Sequence, residues 1–256
     1  MLSLEFLQIY WWCVVSLLGG LLVFMMFVQG GQTLLFGLCK NELQKDMVIN
    51  SIGRKWELTF TTLVMFGGAC FAAFPLFYAT SFGGAYWVWL AILFCFILQA
   101  VSYEYRKKPD NFLGQKTYEI FLFINGSLGV ILIGMAVSTF FSGSDFLLNE
   151  HNFVQWQTPF RGLEALGNIM LYPLGIAVFF LSRVGGALYL INNIDDEEIR
   201  ANARKAALKN TILFLPFFLA FAAWVLSKPG FGYDEAGEVS VVAFKYARNF
   251  ADMPMI

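Results

Sequence analysis

Asp, Glu, Lys and Arg are so unevenly spaced along this chain that long stretches hold none of them, and the longest, Leu58 to Tyr103, runs for 46 residues. An α-helix rises 1.5 Å per residue and the hydrocarbon of a bilayer is ~30 Å thick, so one crossing takes ~20 apolar residues. That stretch therefore makes two crossings, turning at Ser81-Phe82-Gly83-Gly84. Read the same way, the chain has spans at 9–28, 58–80, 82–103, 120–141, 165–190 and 206–226. Backbone groups in lipid must be satisfied within their own segment, and these runs are too long and too evenly apolar for barrel strands, so each is a helix. The predicted fold class is all-α, a polytopic membrane bundle with six transmembrane helices in one membrane domain. Residues 228–256 read as an outer loop or truncated tail: they are polar and Gly-containing, then turn apolar at Met253-Pro254-Met255-Ile256, as at the start of a further crossing.

Composition agrees with that class. Of 256 residues 58% are hydrophobic and 18% aromatic, with a mean hydropathy of +0.63. A net charge of -1 offers no basic face for nucleic acid. The four cysteines show no CxxC spacing, so neither a disulfide framework nor a zinc site is indicated, and they read as small buried hydrophobes. The N-terminus lacks the basic region and cleavage pattern of a removable signal, so the first span is retained.

Charge sets orientation. The loops between spans 1 and 2, 3 and 4, and 5 and 6, together with Lys209 at the start of span 6, hold twelve Lys and Arg, against four in the opposite loop and the tail. With the positive side inward, the N-terminus and the tail lie outside. Trp11, Trp12, Tyr86, Trp87, Trp89 and Trp224 then fall towards outer span ends, where amphipathic rings anchor. Pro75, Pro173 and Pro216 are expected to kink their spans, and Gly67-Gly68, Gly126 with Gly129, and Gly185-Gly186 offer small faces for helix contact. The segment after Asp195 and Asp196 reads as a separate inner helix capped by one of them, acidic first and basic later.

Candidate chemistry is sparse. The one histidine, His151, lies in an outer loop, and the methionines sit on apolar spans as gap-fillers, so no haem ligand, metal site or cofactor-binding residue is expected in this chain. No phosphate loop, nucleophile elbow or paired intramembrane carboxylates occur. Ionisable residues near membrane depth are the default candidates: Glu57 at the inner end of span 2, Glu104 and Glu119 near inner span ends, and Arg183 within span 5. For Arg183 three readings stand: snorkelling to the interface, a partner carboxylate, or a lipid phosphate. Glu104 and Glu119 are expected to be solvated, with a relay role towards Glu57 as the alternative.

Several elements resemble subunit II of the cytochrome bd ubiquinol oxidases: Asn50-Ser51-Ile52, Trp56-Glu57, Gly67-Gly68-Ala69-Cys70-Phe71-Ala72-Ala73-Phe74-Pro75, Tyr78-Ala79, and Ser81-Phe82-Gly83-Gly84 to Tyr86. Tyr10-Trp11-Trp12, Tyr103-Glu104-Tyr105-Arg106 and Asn125-Gly126-Ser127 agree as well. Two elements depart from the family. Val28-Gln29-Gly30-Gly31-Gln32 stands where members have Asp-Gly-Phe-Asp, and Leu58-Thr59 replaces a Gly-Asn pair.

The resemblance implies an eight-helix bacterial inner-membrane subunit, of which this chain would hold six helices. Its partner would be a haem-bearing subunit I, with b-type and d-type haems, that oxidises quinol and reduces oxygen to water. It implies a proton route through the acidic position at Glu57, beside Trp56; against that stands a plain helix-opening carboxylate favoured by the helix dipole and neutralised by Arg54 or Lys55. A structural quinone, bound lipid and a small accessory subunit are further partners compatible with the family. The rival readings from the residues are a small-solute transporter, disfavoured by the lack of an internal repeat and by few buried polar groups, and a non-catalytic membrane scaffold.

Overall fold

The computed structural model describes residues 3–151, 153–233 and 239–252. Six helical runs are long and apolar enough to cross a membrane: Phe6–Leu38, Glu42–Ala73, Tyr86–Tyr105, Gln115–Ser142, Ile169–Asn193 and Glu197–Ser227. The first is two helices, α1 (Leu4–Met25) and α2 (Phe27–Leu38), parted at Met26. A short inner helix α3 (Glu42–Gly53), capped by Asn41, leads through a turn at Arg54-Lys55 into α4 (Trp56–Ala73). There follow α5 (Pro75–Tyr78), a π-helical turn Ala79–Gly84, α6 (Tyr86–Tyr105), α7 (Gln115–Ile124), a second π-turn Asn125–Gly129 and α8 (Val130–Ser142). The last long helices are α9 (Tyr172–Asn193) and α10 (Glu197–Ser227), and α11 (Lys245–Asp252) closes the described chain.

The prolines act differently from the kinks expected of them. A residue before proline is pushed out of the α region, and Phe74 (φ −134, ψ 66) ends α4 so that Pro75 starts a new helix. Pro173 lies in the first turn of α9, where its missing N–H would have been unpaired anyway. Pro216 alone sits inside a continuous helix. The segment after Asp196 is the expected capped helix, and it runs on into the last span. Asp196 Oδ1 accepts from Ile199 N at 2.8 Å, and from there the chain is helical to Ser227, because nothing between the connector and the span breaks a helix.

Two short antiparallel hairpins, outside the helical expectation, join helix ends: β1 (Phe146–Leu148) with β2 (Val154–Trp156), and β3 (Gly230–Tyr233) with β4 (Val239–Val242). The first turn is closed by Asn149, whose Oδ1 accepts from His151 N at 2.9 Å and Phe153 N at 2.8 Å. The apolar end at Met253 to Ile256 lies outside the described residues.

α9 is the central helix, packed on α2, α8 and α10, while α1 packs on α4. Glycine permits the closest approach: a Cβ on Gly30 would collide with the backbone of Ser182, and one on Gly186 with that of Gly31. The α2–α9 seam is therefore a backbone-to-backbone contact of the kind that membrane helices use in place of a hydrophobic drive. Around it one apolar cluster joins Leu34, Leu38, Val48, Ile52, Leu190 and Ile199, and a second joins Leu22, Met26, Leu63, Ile92, Phe96 and Ile133.

Candidate functional site

The polar chemistry of the bundle starts at the inner ends of α3, α6 and α7. Arg106, 3% exposed, follows the last residue of α6. It donates from Nη2 (2.6 Å) and Nε (3.1 Å) to Glu119 Oε1, and from Nη1 (2.7 Å) to Asp46 Oδ1. Lys45 donates to Glu119 Oε2 at 3.1 Å and to Glu42 Oε1 at 2.8 Å, and Lys107 pairs with Asp46. The cluster thus sets Arg106, Lys45 and Lys107 against Glu42, Asp46 and Glu119. Burial opposes the charge on Arg106, but the hydrogen bonds it donates to Asp46 and Glu119 outweigh that and hold the guanidinium above its ordinary pKa. Glu119, expected to be solvated, is 2% exposed. The residue lies on the face of α7 that also buries Tyr118 and Leu122, and the ion pairs are what make its burial tolerable.

A line of neutral polar side chains leads from this cluster into the bundle. Tyr103, one turn before Arg106, accepts at its hydroxyl from Gln32 Nε2 at 2.9 Å, and Trp56 stacks on its ring at 6.3 Å. One turn further, Gln99 Oε1 lies 3.5 Å from Gln29 Nε2, and Gln29 Oε1 is 2.8 Å from the Thr59 hydroxyl. Gln29, Gln32, Gln99, Thr59 and Asn125 are all 1% exposed or less. Asn125 opens the π-turn whose Gly126 presses on the α2 backbone at Gln29. Both of its amide atoms lack a hydrogen-bond partner, as do Gln32 Oε1 and Gln99 Nε2. Buried polar atoms are normally satisfied by protein or ordered water, and these four have no protein partner.

The structure sorts the candidates taken from the sequence. Trp56 borders the polar line through Tyr103, and Glu119 belongs to the cluster at its inner end. Glu104 does not: it is exposed and pairs with Lys108, just past the end of α6. Glu57 is exposed too. At 100° per residue it points nearly opposite to Thr59, away from the line, and neither Arg54 nor Lys55 pairs with it among the described residues. Arg183 stands apart on α9. The sequence reading missed Gln29, Gln32, Gln99 and Asn125 and counted buried polar groups as few. The signal was available, since Gln99, Ser102, Tyr103 and Arg106 recur at helical spacing on one face of α6.

A bundle of six membrane-crossing helices, with a charge-balanced cluster at one end of a buried amide line, defines a polytopic membrane protein. The sequence pattern of the cytochrome bd terminal oxidase subunit II family matches residues 7–251, and the chain belongs to that family. Similar proteins include a probable cytochrome oxidase subunit 2 of Haemophilus influenzae, 30% identical over all of this chain and 70% of its own length. The cytochrome bd-I ubiquinol oxidase subunit 2 of Escherichia coli is 29% identical over 84% of this chain and 57% of its own length. The cytochrome bd ubiquinol oxidase subunit 2 of Bacillus subtilis is 30% identical over 72% and 52%. The chain thus matches little more than half the length of the last two.

Among the described residues, His151 and the buried methionines do not fit a haem. His151 is exposed at the first hairpin turn with its ring 6.5 Å from that of Phe153, and Met26 and Met135 are closed into packed apolar surroundings. Among the described residues no group of three or more His, Cys, Asp or Glu could hold a metal ion.

Proposed function

We propose that this chain serves as subunit II of a bd-type quinol:oxygen oxidoreductase in a bacterial inner membrane, N-terminus outside. It would pack against a haem-bearing subunit I, with its b-type and d-type haems, and deliver protons towards it. The family match over residues 7–251 carries the reading. The buried amide line gives this chain a part in it beyond support.

In this reading the Arg106–Glu119 cluster gathers protons at the inner face, with Glu119 the one carboxylate there that is both buried and adjacent to the line. Amides do not themselves change protonation, so movement past Gln32, Gln29, Gln99 and Asn125 runs through water held by their unpartnered atoms. Thr59 and the Tyr103 hydroxyl supply rotatable O–H groups along the way, and Trp56 seals one side. Glu57, exposed on α4 and turned away from the line, has no place in this route. Glu104 serves at most as an antenna outside the cluster. Quinol oxidation and oxygen reduction belong to the partner; a structural quinone, bound lipid and an accessory subunit are compatible with these helices.

The test is purification of the chain from its native membrane in mild detergent, followed by a reduced-minus-oxidised spectrum. Combined b- and d-type haem bands with quinol-driven oxygen uptake support the reading; a haem-free, partnerless preparation overturns it and returns the solute transporter.

A further inference from the structure

Arg183 sits at the wrong depth for every carboxylate among the described residues. α9 runs from Tyr172 to Asn193, which puts Arg183 eleven residues from one end and ten from the other. At 1.5 Å per residue that is about 15 Å from either end, the half-thickness of bilayer hydrocarbon. An arginine side chain spans less than half that distance, so snorkelling does not bring the guanidinium to a headgroup phosphate. Helical side chains lean towards the N-terminus, and Arg183 does so: its Cζ lies 5.4 Å from the ring centre of Phe179, one turn back and still about two turns inside the helix.

Among the described residues nothing neutralises it. Nε is buried without a hydrogen-bond partner, and no ion pair to Arg183 occurs among the described residues. α2, α8 and α9 contain no carboxylate, and in the other long helices Glu5, Glu57, Glu104, Glu119, Glu197 and Glu198 fall in the first or last two turns. The side chain is half-buried. Its flanking residues fix where it points: Ser182 and Gly186 meet α2, whereas Phe180 stacks on Phe217 of α10 at 5.9 Å. The guanidinium therefore lies in the groove between α2 and α10.

We infer that this groove receives a transmembrane helix of a second polypeptide, and that Arg183 pairs with an Asp or Glu carboxylate carried on that helix near the bilayer midplane. A charge at this depth persists only when paired or hydrated, and a fork of guanidinium donors matches a carboxylate. A lipid phosphate has the right charge at the wrong depth. The inference rests on the reading above only in that a membrane partner exists; it does not require the partner to carry haem.

The experiment treats the assembled complex, in native membranes and carrying Arg183→Lys, with a membrane-permeant carbodiimide, then maps cross-links by mass spectrometry. The activated carboxyl loses its urea leaving group as the introduced amine forms an amide. The expected result is an adduct joining position 183 to an Asp or Glu on another chain, absent from wild type. Arg183→Glu is expected to lower the partner recovered per tagged chain at least tenfold, with Arg183→Lys keeping most of it. A cross-link to an acid of this chain, no cross-link, or loss of bound anionic lipid with the partner retained would each overturn the inference. The two readings separate: an interchain adduct in a haem-free complex sinks the oxidase reading alone, and a haem-bearing complex without the adduct sinks this one alone.

Discussion

Replacing Glu119 with Gln removes a carboxylate that is 2% exposed while leaving the Arg106 guanidinium, 3% exposed, in place. Breaking a buried ion pair from one side costs ~3–5 kcal/mol, because the remaining charge is left uncompensated. Asp46 still holds Arg106 at 2.7 Å and the new amide can accept one hydrogen bond, so the lower end, about 3 kcal/mol, is expected. For a chain of this length each kcal/mol moves the melting temperature by ~2–4 °C, which gives a loss of roughly 6–12 °C. The assay is thermal unfolding of the intact complex in lipid nanodiscs. Glu104→Gln is the control, since that carboxylate is exposed and outside the cluster, and it should leave the curve unchanged. Replacing both partners, Glu119→Leu with Arg106→Leu, should recover at least half of the loss, because no lone charge remains. A Glu119→Gln shift below ~2 °C, or a double variant worse than the sum of the singles, would refute the argument that the pair sustains the burial of both groups.

The remaining predictions concern other parts of the bundle. Gly30→Ala should cost more than the ~1–3 kcal/mol of ordinary overpacking, because its Cβ meets the Ser182 backbone, whereas Gly68→Ala, facing open space, should be neutral or gain up to ~1 kcal/mol; detergent-titrated unfolding compares them. Asp196→Ala should lose ~0.5–2 kcal/mol by removing the cap of α10, and hydrogen exchange should rise in its first turn. Asn125→Leu should keep or raise stability, since it deletes two unpartnered amide atoms, yet slow quinol-driven oxygen uptake severalfold; unchanged turnover would remove Asn125 from the water line. Burial, partly opposed by Lys45, pushes the Cys39 thiol up to about 12, so the thiolate is scarce until far above neutrality. Maleimide labelling at Cys39 should therefore stay slow through pH 9, and a midpoint near the ordinary thiol value would contradict the burial.

The crossings were readable because lipid imposes a length and a polarity that no tertiary contact overrides. Their ends were not, since uncharged runs mark where charge stops and helices continue past it: α2 extends to Leu38 and α10 starts at Glu197. Pro75 was read as a kink and became a helix start because the residue before it, Phe74, could not stay helical. At the site, attention to charge drew Glu57 forward and overlooked glutamine. Yet Gln29 and Gln32 occupy the stretch where the family's Asp-Gly-Phe-Asp element falls, and the structure turns both inward. Glu119 read as solvated because its partners come from α3 and the end of α6, which only the folded chain brings together.

The seating of Gly30 against Ser182 also sets a clock. These residues are 152 positions apart, and a ribosome adding ~5–20 residues per second needs about 8–30 s to make the intervening chain. Throughout that interval the second half of the first crossing has no seat, and Gln29 and Gln32 stand in the membrane without their eventual neighbours on α6 for much of it. Biogenesis must therefore shelter a half-polar helix until the fifth crossing arrives, which makes the α2–α9 seam the step at which a nascent chain either commits to the bundle or is left open to membrane proteases.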